Sequence, residues 1–158
     1  MILNEIKEEY VVDLLKAGKR SDGRGLMDYR DIKIEKGLLH NAEGSCLAQI
    51  GDTKVLAGIK FDIMEPYRDR PLEGVLQVNS EFLTAAHPDF NPGPPDERSI
   101  ELARVVDRGI RSANAVDTKK LFIAEKKAYG LFIDLYIMDH SGNLIDTAGL
   151  AAMGALLD

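Results

Sequence analysis

The sequence predicts an α+β domain, and three observations carry that prediction. Short apolar runs with a period of two fill much of the first half of the chain. One long amphipathic stretch lies within Gly93–Val116. A second set of strand-like runs then leads into a final helical segment, so the order is strands, helix, strands, helix. The chain has 158 residues, 45% of them hydrophobic and 29% charged, which suits one domain, 1–158, with a proper core. No apolar run approaches the ~20 residues of a membrane span. Met1–Lys16 mixes charge through its apolar positions, so it reads as neither signal nor transit peptide, and the expected location is the cytoplasm. The single cysteine, Cys46, agrees with a reducing compartment. A net charge of −6 argues against a wholesale nucleic-acid coat but leaves room for a local basic stripe.

The N-terminal helix, within residues 1–18, is predicted over Asn4–Lys16. Asn4 is its candidate cap, Ile6, Tyr10, Val11, Leu14 and Leu15 recur at helical spacing, and Gly18 ends it. "KRSDGRG" (Lys19–Gly25) is a turn with an Asp-Gly corner. Ile32 and Ile34 alternate with Lys33 and Glu35. Cys46–Ile50 and Lys54–Phe61 flank "GDT", a hairpin signal. Leu76, Val78 and Phe82 alternate with Gln77, Asn79 and Glu81, which predicts a strand with one wet face. Glu65–Gly74 is a charged loop and His87–Pro95 a proline-stiffened one. Leu121–Ala124 and Tyr129–Met138 predict a second hairpin across Glu125–Lys127. "DHSGN" turns the chain into a helix rich in small residues, which should pack tightly on a sheet. That helix stops at Asp158 with no closing glycine and an acid at its negative end, so the chain is expected to be the front part of a longer protein.

The central helix carries the main functional signal. Asp96 after Pro94-Pro95 is a good N-cap for the N–H of Ser99. Leu102, Val106, Ile110 and Ala113 fall on one side and should face the sheet, while Arg104, Arg108 and Arg111 fall together on the other. Two readings compete. Asp107 and Glu101 can neutralise the stripe, Asp107 reaching Arg104 or Arg111, as on most solvated faces. Alternatively the stripe meets an external polyanion, for which the planar guanidinium fork is suited.

"RSDGRG", "GSCLAQIGDTKVLAGIKF", "PGPPDERSIELARVVDRGIR" and "MDHSGNLIDTAGLAAMGALL" together resemble the RNase PH family, and within it the non-catalytic RNase PH-like subunit type of the archaeal exosome. The resemblance runs from Lys19 onward and keeps the motif order. It implies an RNase PH-type β-α-β-α fold, related to the second domain of a small-subunit ribosomal protein, with a mixed sheet and helices packed on it. It also implies membership of a hexameric ring in which three such subunits alternate with three catalytic paralogues under RNA-binding cap subunits. That ring degrades single-stranded RNA from its 3′ end with inorganic phosphate as nucleophile. Where the catalytic paralogue has two consecutive arginines, this chain has Glu97 and Arg98. The acid repels phosphate, and the family's Gly-Ser-Arg phosphate loop and catalytic acid lie in a back half beyond Asp158. The implied role is therefore structural and RNA-binding, with no catalytic residue and no cofactor of its own. The alternative is an active phosphate-dependent 3′–5′ exoribonuclease. A small-molecule kinase sharing the fold would want a glycine-rich phosphate loop, which the sequence lacks. The resemblance places Arg104 and Arg108 toward the partner's active site as RNA phosphate contacts, and leaves Arg111 as a solvated or ion-paired residue. Arg98 joins them as a candidate. Arg68 and Arg70 are either a solvated loop paired to Glu65, Asp69 and Glu73 or a second RNA contact near the channel. Arg24 and Asp22 read as a turn or subunit contact. His40, His87 and His140 match no metal spacing, and Cys46 reads as a core residue.

Overall fold

The structure, a computed structural model, describes the backbone of residues 2–158 and the side chains of residues 9–158. The chain divides into two units, the first ending at Asp31 and the second spanning Ile32–Asp158.

The first unit contains α1, Ile2–Lys16. The helix begins before Asn4, so Asn4 lies in its first turn instead of capping it; the side chains of Asn4 and Ile6 lie outside the described residues. Of the apolar positions at helical spacing, Leu14 is half-buried and Tyr10, Val11 and Leu15 are exposed. In the following turn Arg24 Nε meets Asp22 Oδ2 at 2.7 Å and its Nη1 donates to the carbonyl of Asp28 at 2.7 Å. The two residues fix the turn, and the arginine lowers the Asp22 pKa chiefly by hydrogen bonding.

The second unit is a six-stranded mixed sheet built from β1 (Ile32–Lys36), β2 (Gly44–Ile50), β3 (Thr53–Met64), β4 (Val75–Phe82), β5 (Phe122–Ala124) and β6 (Lys127–Asp139). The strand order is β1-β2-β3-β6-β4, with β5 also against β6. β2 and β3 form the expected hairpin. Ile50 pairs with Thr53 across Gly51-Asp52, so Thr53, read in the sequence as part of the turn, belongs to the strand, and Gly51 takes the positive φ (59°) that a two-residue turn requires at its first corner. The second hairpin is tighter than the sequence predicts. Ala124 pairs with Lys127, so Lys127 belongs to the strand and the turn is Glu125-Lys126. Leu121 ends a 3-10 turn, Thr118–Leu121, and does not belong to the strand.

Among the described residues one pair of neighbouring strands, β4 and β6, is parallel, and a parallel pair needs a crossover. Helix α2 (Glu97–Ser112) supplies it, and α3 (Leu144–Leu156) follows β6, so β4-α2-β6-α3 makes the β-α-β-α unit. Both helices join one core with a single face of the sheet. Cys46 and Ala48 of β2, Val55, Ala57 and Ile59 of β3, and Leu131, Ile133, Leu135 and Ile137 of β6 meet Leu102, Val106 and Ile110 of α2 and Ala148, Ala151, Ala152 and Ala155 of α3. The period of two along β6 is the reason: alternate residues reach the helices, while Phe132, Asp134 and Tyr136 between them are half-buried on the other face.

The small residues of α3 let it approach the sheet closely. A side-chain carbon on Gly154 would run into Cys46 Sγ, and one on Gly44 would run into the carbonyl oxygen of Ala155. Cys46 is fully buried, and that burial, with a smaller contribution from the Asp158 carboxylate, raises its thiol pKa. The entry to α3 is pinned to the β2–β3 hairpin: Thr53 Oγ1 donates to the Gly142 carbonyl at 2.7 Å and accepts from the Ser141 N–H at 2.9 Å. At the other end Asp158 does not simply face the helix dipole. Its carboxylate accepts from the Ser45 N–H at 3.2 Å, and Lys36 Nζ covers the Leu157 carbonyl at 2.9 Å.

Candidate nucleic-acid interface

Helix α2 starts where Asp96, in extended conformation, accepts from the Ser99 N–H at 2.9 Å. That bond, seconded by Arg98, holds the Asp96 carboxyl below its usual range. A lowered pKa in the folded state means that stability is present above the ordinary value of 3.8 and is lost as pH falls from there. Asp96→Asn keeps an acceptor for Ser99 but removes the titration. The variant should therefore lose less thermal stability than the parent on acidification, a difference that melting curves across the acid range will read.

The buried side of α2 is Ser99, Leu102, Ala103, Val106 and Ile110. Ala113, expected on that side, is exposed, because the helix ends at Ser112 and Ala113 is its C-cap. Side-chain hydrogen bonds at two points fasten α2 along the edge of β4 away from β6. Near the helix start, Ser99 Oγ donates to the Ser80 carbonyl at 2.6 Å and Ser80 Oγ donates to the Ser99 carbonyl at 2.8 Å, all buried. In the last turn, Arg111 Nη2 donates to the Leu76 carbonyl at 2.8 Å while its Nε meets Asp107 at 2.8 Å.

These fastenings sort the arginine stripe. Arg111 is consumed by the fold and takes Asp107 with it. The pairing of Asp107 with Arg104 therefore does not form. Arg104 and Arg108 are exposed and have no hydrogen bond or ion pair among the described residues. They stand one helical turn apart, about 6 Å along the axis. Between α2 and β4 they border a cleft of about 260 Å³, together with Leu76, Gln77, Val78, Ala103 and Asp107. On the outer surface of the helix they share a shallow depression with Glu97, Ile100, Glu101 and Val105. Glu97, Glu101, Arg104 and Arg108 thus lie on one face with the acids toward the N-terminus and the bases toward the C-terminus, the order that suits the helix dipole. A polyanion meets attraction over the second half of this face only.

The other candidates sit elsewhere. Arg98 is occupied within the chain: its Nη2 donates to the Asp89 carbonyl at 2.9 Å, its Nε meets Asp96 at 3.1 Å, and its guanidinium lies 5.2 Å over the Phe90 ring. It fastens the proline-rich loop to the start of α2. Arg68 and Arg70 are exposed in the loop between β3 and β4; Arg70 pairs loosely with Asp69 at 3.8 Å, and Arg68 has no hydrogen bond or ion pair among the described residues. The neighbouring pairs with Glu65 and Glu73 do not form. Two of the three histidines, far apart in sequence, are neighbours in the fold. His87 and His140 come together, ring centroids 5.4 Å apart, beside Phe90. Sequence distance hides this because the segment after β4 and the end of its parallel neighbour β6 fall at the same end of the sheet. Among the described residues no three His, Cys, Asp or Glu side chains converge, and no helix is long and apolar enough to cross a membrane.

Residues 28–158 match the family described as "3′ exoribonuclease family, domain 1". The chain is 51% identical over 157 residues to the protein named exosome complex component Rrp42 of Thermococcus gammatolerans, covering 99% of this chain and 58% of that one. It is 49% identical over 158 residues to the protein of the same name from Archaeoglobus fulgidus, covering 99% of this chain and 61% of that one. The chain thus spans about three fifths of the length of these relatives. Among solved structures, a chain of the Archaeoglobus fulgidus exosome with RNA bound to the active site superposes with a TM-score of 0.92 at 49% identity, covering 98% of this chain and 61% of that one. A chain of an archaeal exosome core superposes at 0.84 and 46% identity, covering 98% and 58%.

Proposed function

The chain belongs to the RNase PH family of 3′ exoribonucleases, and from that premise we propose that it is a non-catalytic, RNA-binding subunit of an archaeal exosome. The observation that carries the proposal is the pair Arg104 and Arg108, left exposed on α2 and without a partner among the described residues because Arg111 has taken Asp107. Each guanidinium offers a fork of donors to phosphate oxygens, and two forks one turn apart can hold successive phosphates of a single strand. The pair steers and fixes the strand while a catalytic RNase PH-like partner, alternating with this subunit in a hexameric ring, directs inorganic phosphate at the terminal linkage. Glu97 supports the division of labour. It is exposed in the first turn of α2, where its charge repels the phosphate that the partner uses. Arg68 and Arg70, in the loop between β3 and β4, form a second and weaker contact with the strand, and cap subunits bind RNA above the ring. Arg98, already occupied, contributes by shaping the loop ahead of α2.

Phosphorolysis assays on the chain alone, and on the chain combined with its catalytic paralogue, test this reading. No nucleoside diphosphate should be released from single-stranded RNA by the chain alone, and release should appear with the paralogue. Phosphate-dependent release by the chain by itself would establish the alternative, an active phosphorolytic exoribonuclease.

A further inference from the structure

The edge of β4 away from β6 is met, at every second residue, by a side chain or turn from the elements beside it. Ser99 holds Ser80, Arg104 and Arg108 border the cleft at Val78, and Arg111 holds Leu76. The series has one more member. The Gly74 N–H donates to the Thr118 carbonyl at 2.8 Å, and Thr118 Oγ1 donates to Glu73 Oε2 at 3.2 Å. These bonds seat the 3-10 turn Thr118–Leu121 at the end of the same line, against the start of β4. Leu121 packs so closely there that a side-chain carbon on Gly74 would collide with it. At about 3.3 Å per residue, Gly74 lies roughly 13 Å along the edge from Val78.

Lys119 and Lys120 follow Thr118 directly, and both are exposed. The Lys119 ammonium has no hydrogen bond or ion pair among the described residues; its backbone is what is used, the N–H by the capping carboxylate of Asp117 at 3.2 Å and the carbonyl by the Phe122 N–H. Lys120 reaches Asp117 only at 3.9 Å with both side chains well exposed, a contact worth little in water. One free ammonium group, Lys119, and one loosely paired with Asp117, Lys120, thus continue the line begun by Arg104 and Arg108, with the neutralised Arg111 between them, on a chain whose net charge is −6.

We infer that Lys119 and Lys120 are a further contact for the sugar–phosphate backbone of single-stranded RNA, extending the Arg104–Arg108 contact along the edge of β4. This rests on the RNA-binding reading above. Four cations in line fit a flexible polyanion laid along the edge better than a compact anion. Ammonium groups are point charges, so this stretch grips the strand without reading its bases.

The test uses the assembled complex, short and long single-stranded oligoadenylates, and binding measured over a range of salt. Two double variants are compared, Lys119→Gln/Lys120→Gln and Arg104→Gln/Arg108→Gln, with melting temperatures as the folding control. Each phosphate contact on a single strand contributes about 0.7 to the slope of log affinity against log salt. The lysine variant should lower that slope by about 1.4 for the long oligonucleotide and leave the short one unaffected. The arginine variant should weaken both. If the arginine variant loses affinity while the lysine variant keeps the parent slope on long RNA, the extended track is wrong and the RNA-binding reading stands. If both variants bind like the parent, that reading falls, and the track with it.

Discussion

In the assembled complex, Arg104→Glu combined with Arg108→Glu is expected to lower affinity for single-stranded RNA on the order of 100-fold, since each charge-assisted hydrogen bond to phosphate supplies about 1.5 kcal/mol or more. The reversed charges add repulsion to that effect. Degradation by the catalytic partner should slow, and the salt slope should fall by about 1.4. Base preference should hardly change, because phosphates carry no sequence information. Neither residue has an intramolecular partner among the described residues, so the melting temperature should stay near that of the parent. Arg111→Glu is the contrasting variant. It breaks bonds to Asp107 and to the Leu76 carbonyl, so it should lower the melting temperature and affect RNA binding less. Parent-like RNA binding by the Arg104/Arg108 variant at low salt would make this face of α2 merely solvated.

Gly44→Val is expected to be the most damaging single change to the fold. The new side chain would meet the carbonyl oxygen of Ala155, a backbone atom that no rotamer change can move aside. Overpacking of this kind costs about 3 kcal/mol. For a domain of this size that corresponds to a fall of roughly 6–12 °C in melting temperature. Gly149, in the same helix α3, has nothing within 4 Å of where a side-chain carbon would stand. Gly149→Ala should therefore raise stability by roughly 0.5–1 kcal/mol through helix propensity alone. Parallel thermal melts of the two variants check both signs. Equal effects would mean that α3 does not rest on β2 as closely as described.

Most of the elements of this fold are legible in the sequence because their signals are local. The β2–β3 hairpin, the alternation along β4 and the Asp96 cap each depend on neighbours within a few residues, and each appears where it is expected, the hairpin with a turn one residue shorter. The differences arise where a distant segment decides. Helical periodicity puts Arg111 in line with Arg104 and Arg108, and only the position of β4 beside α2 shows that it hydrogen-bonds a strand carbonyl. The exchange between Ser80 and Ser99 has no sequence signal beyond a serine at an inward position of an otherwise apolar strand face. The nearness of His87 and His140 depends on β4 lying next to β6, an order that no local pattern encodes. The resemblance to the RNase PH family supplies the fold and singles out Arg104 and Arg108, whereas the charge segregation along their helix face emerges only when the four side chains are placed together.

The fastening of α2 to β4 bears on the chain's behaviour toward its own copies. A bare strand edge is a template on which another strand can grow, the route to fibrous aggregates. Here the Leu76 carbonyl is occupied by Arg111 and the Ser80 carbonyl by Ser99, so an incoming strand finds two of its docking points along β4 already taken. Arg111, which the sequence leaves as a solvated or ion-paired residue, thus also withholds a strand carbonyl from self-templated polymerisation.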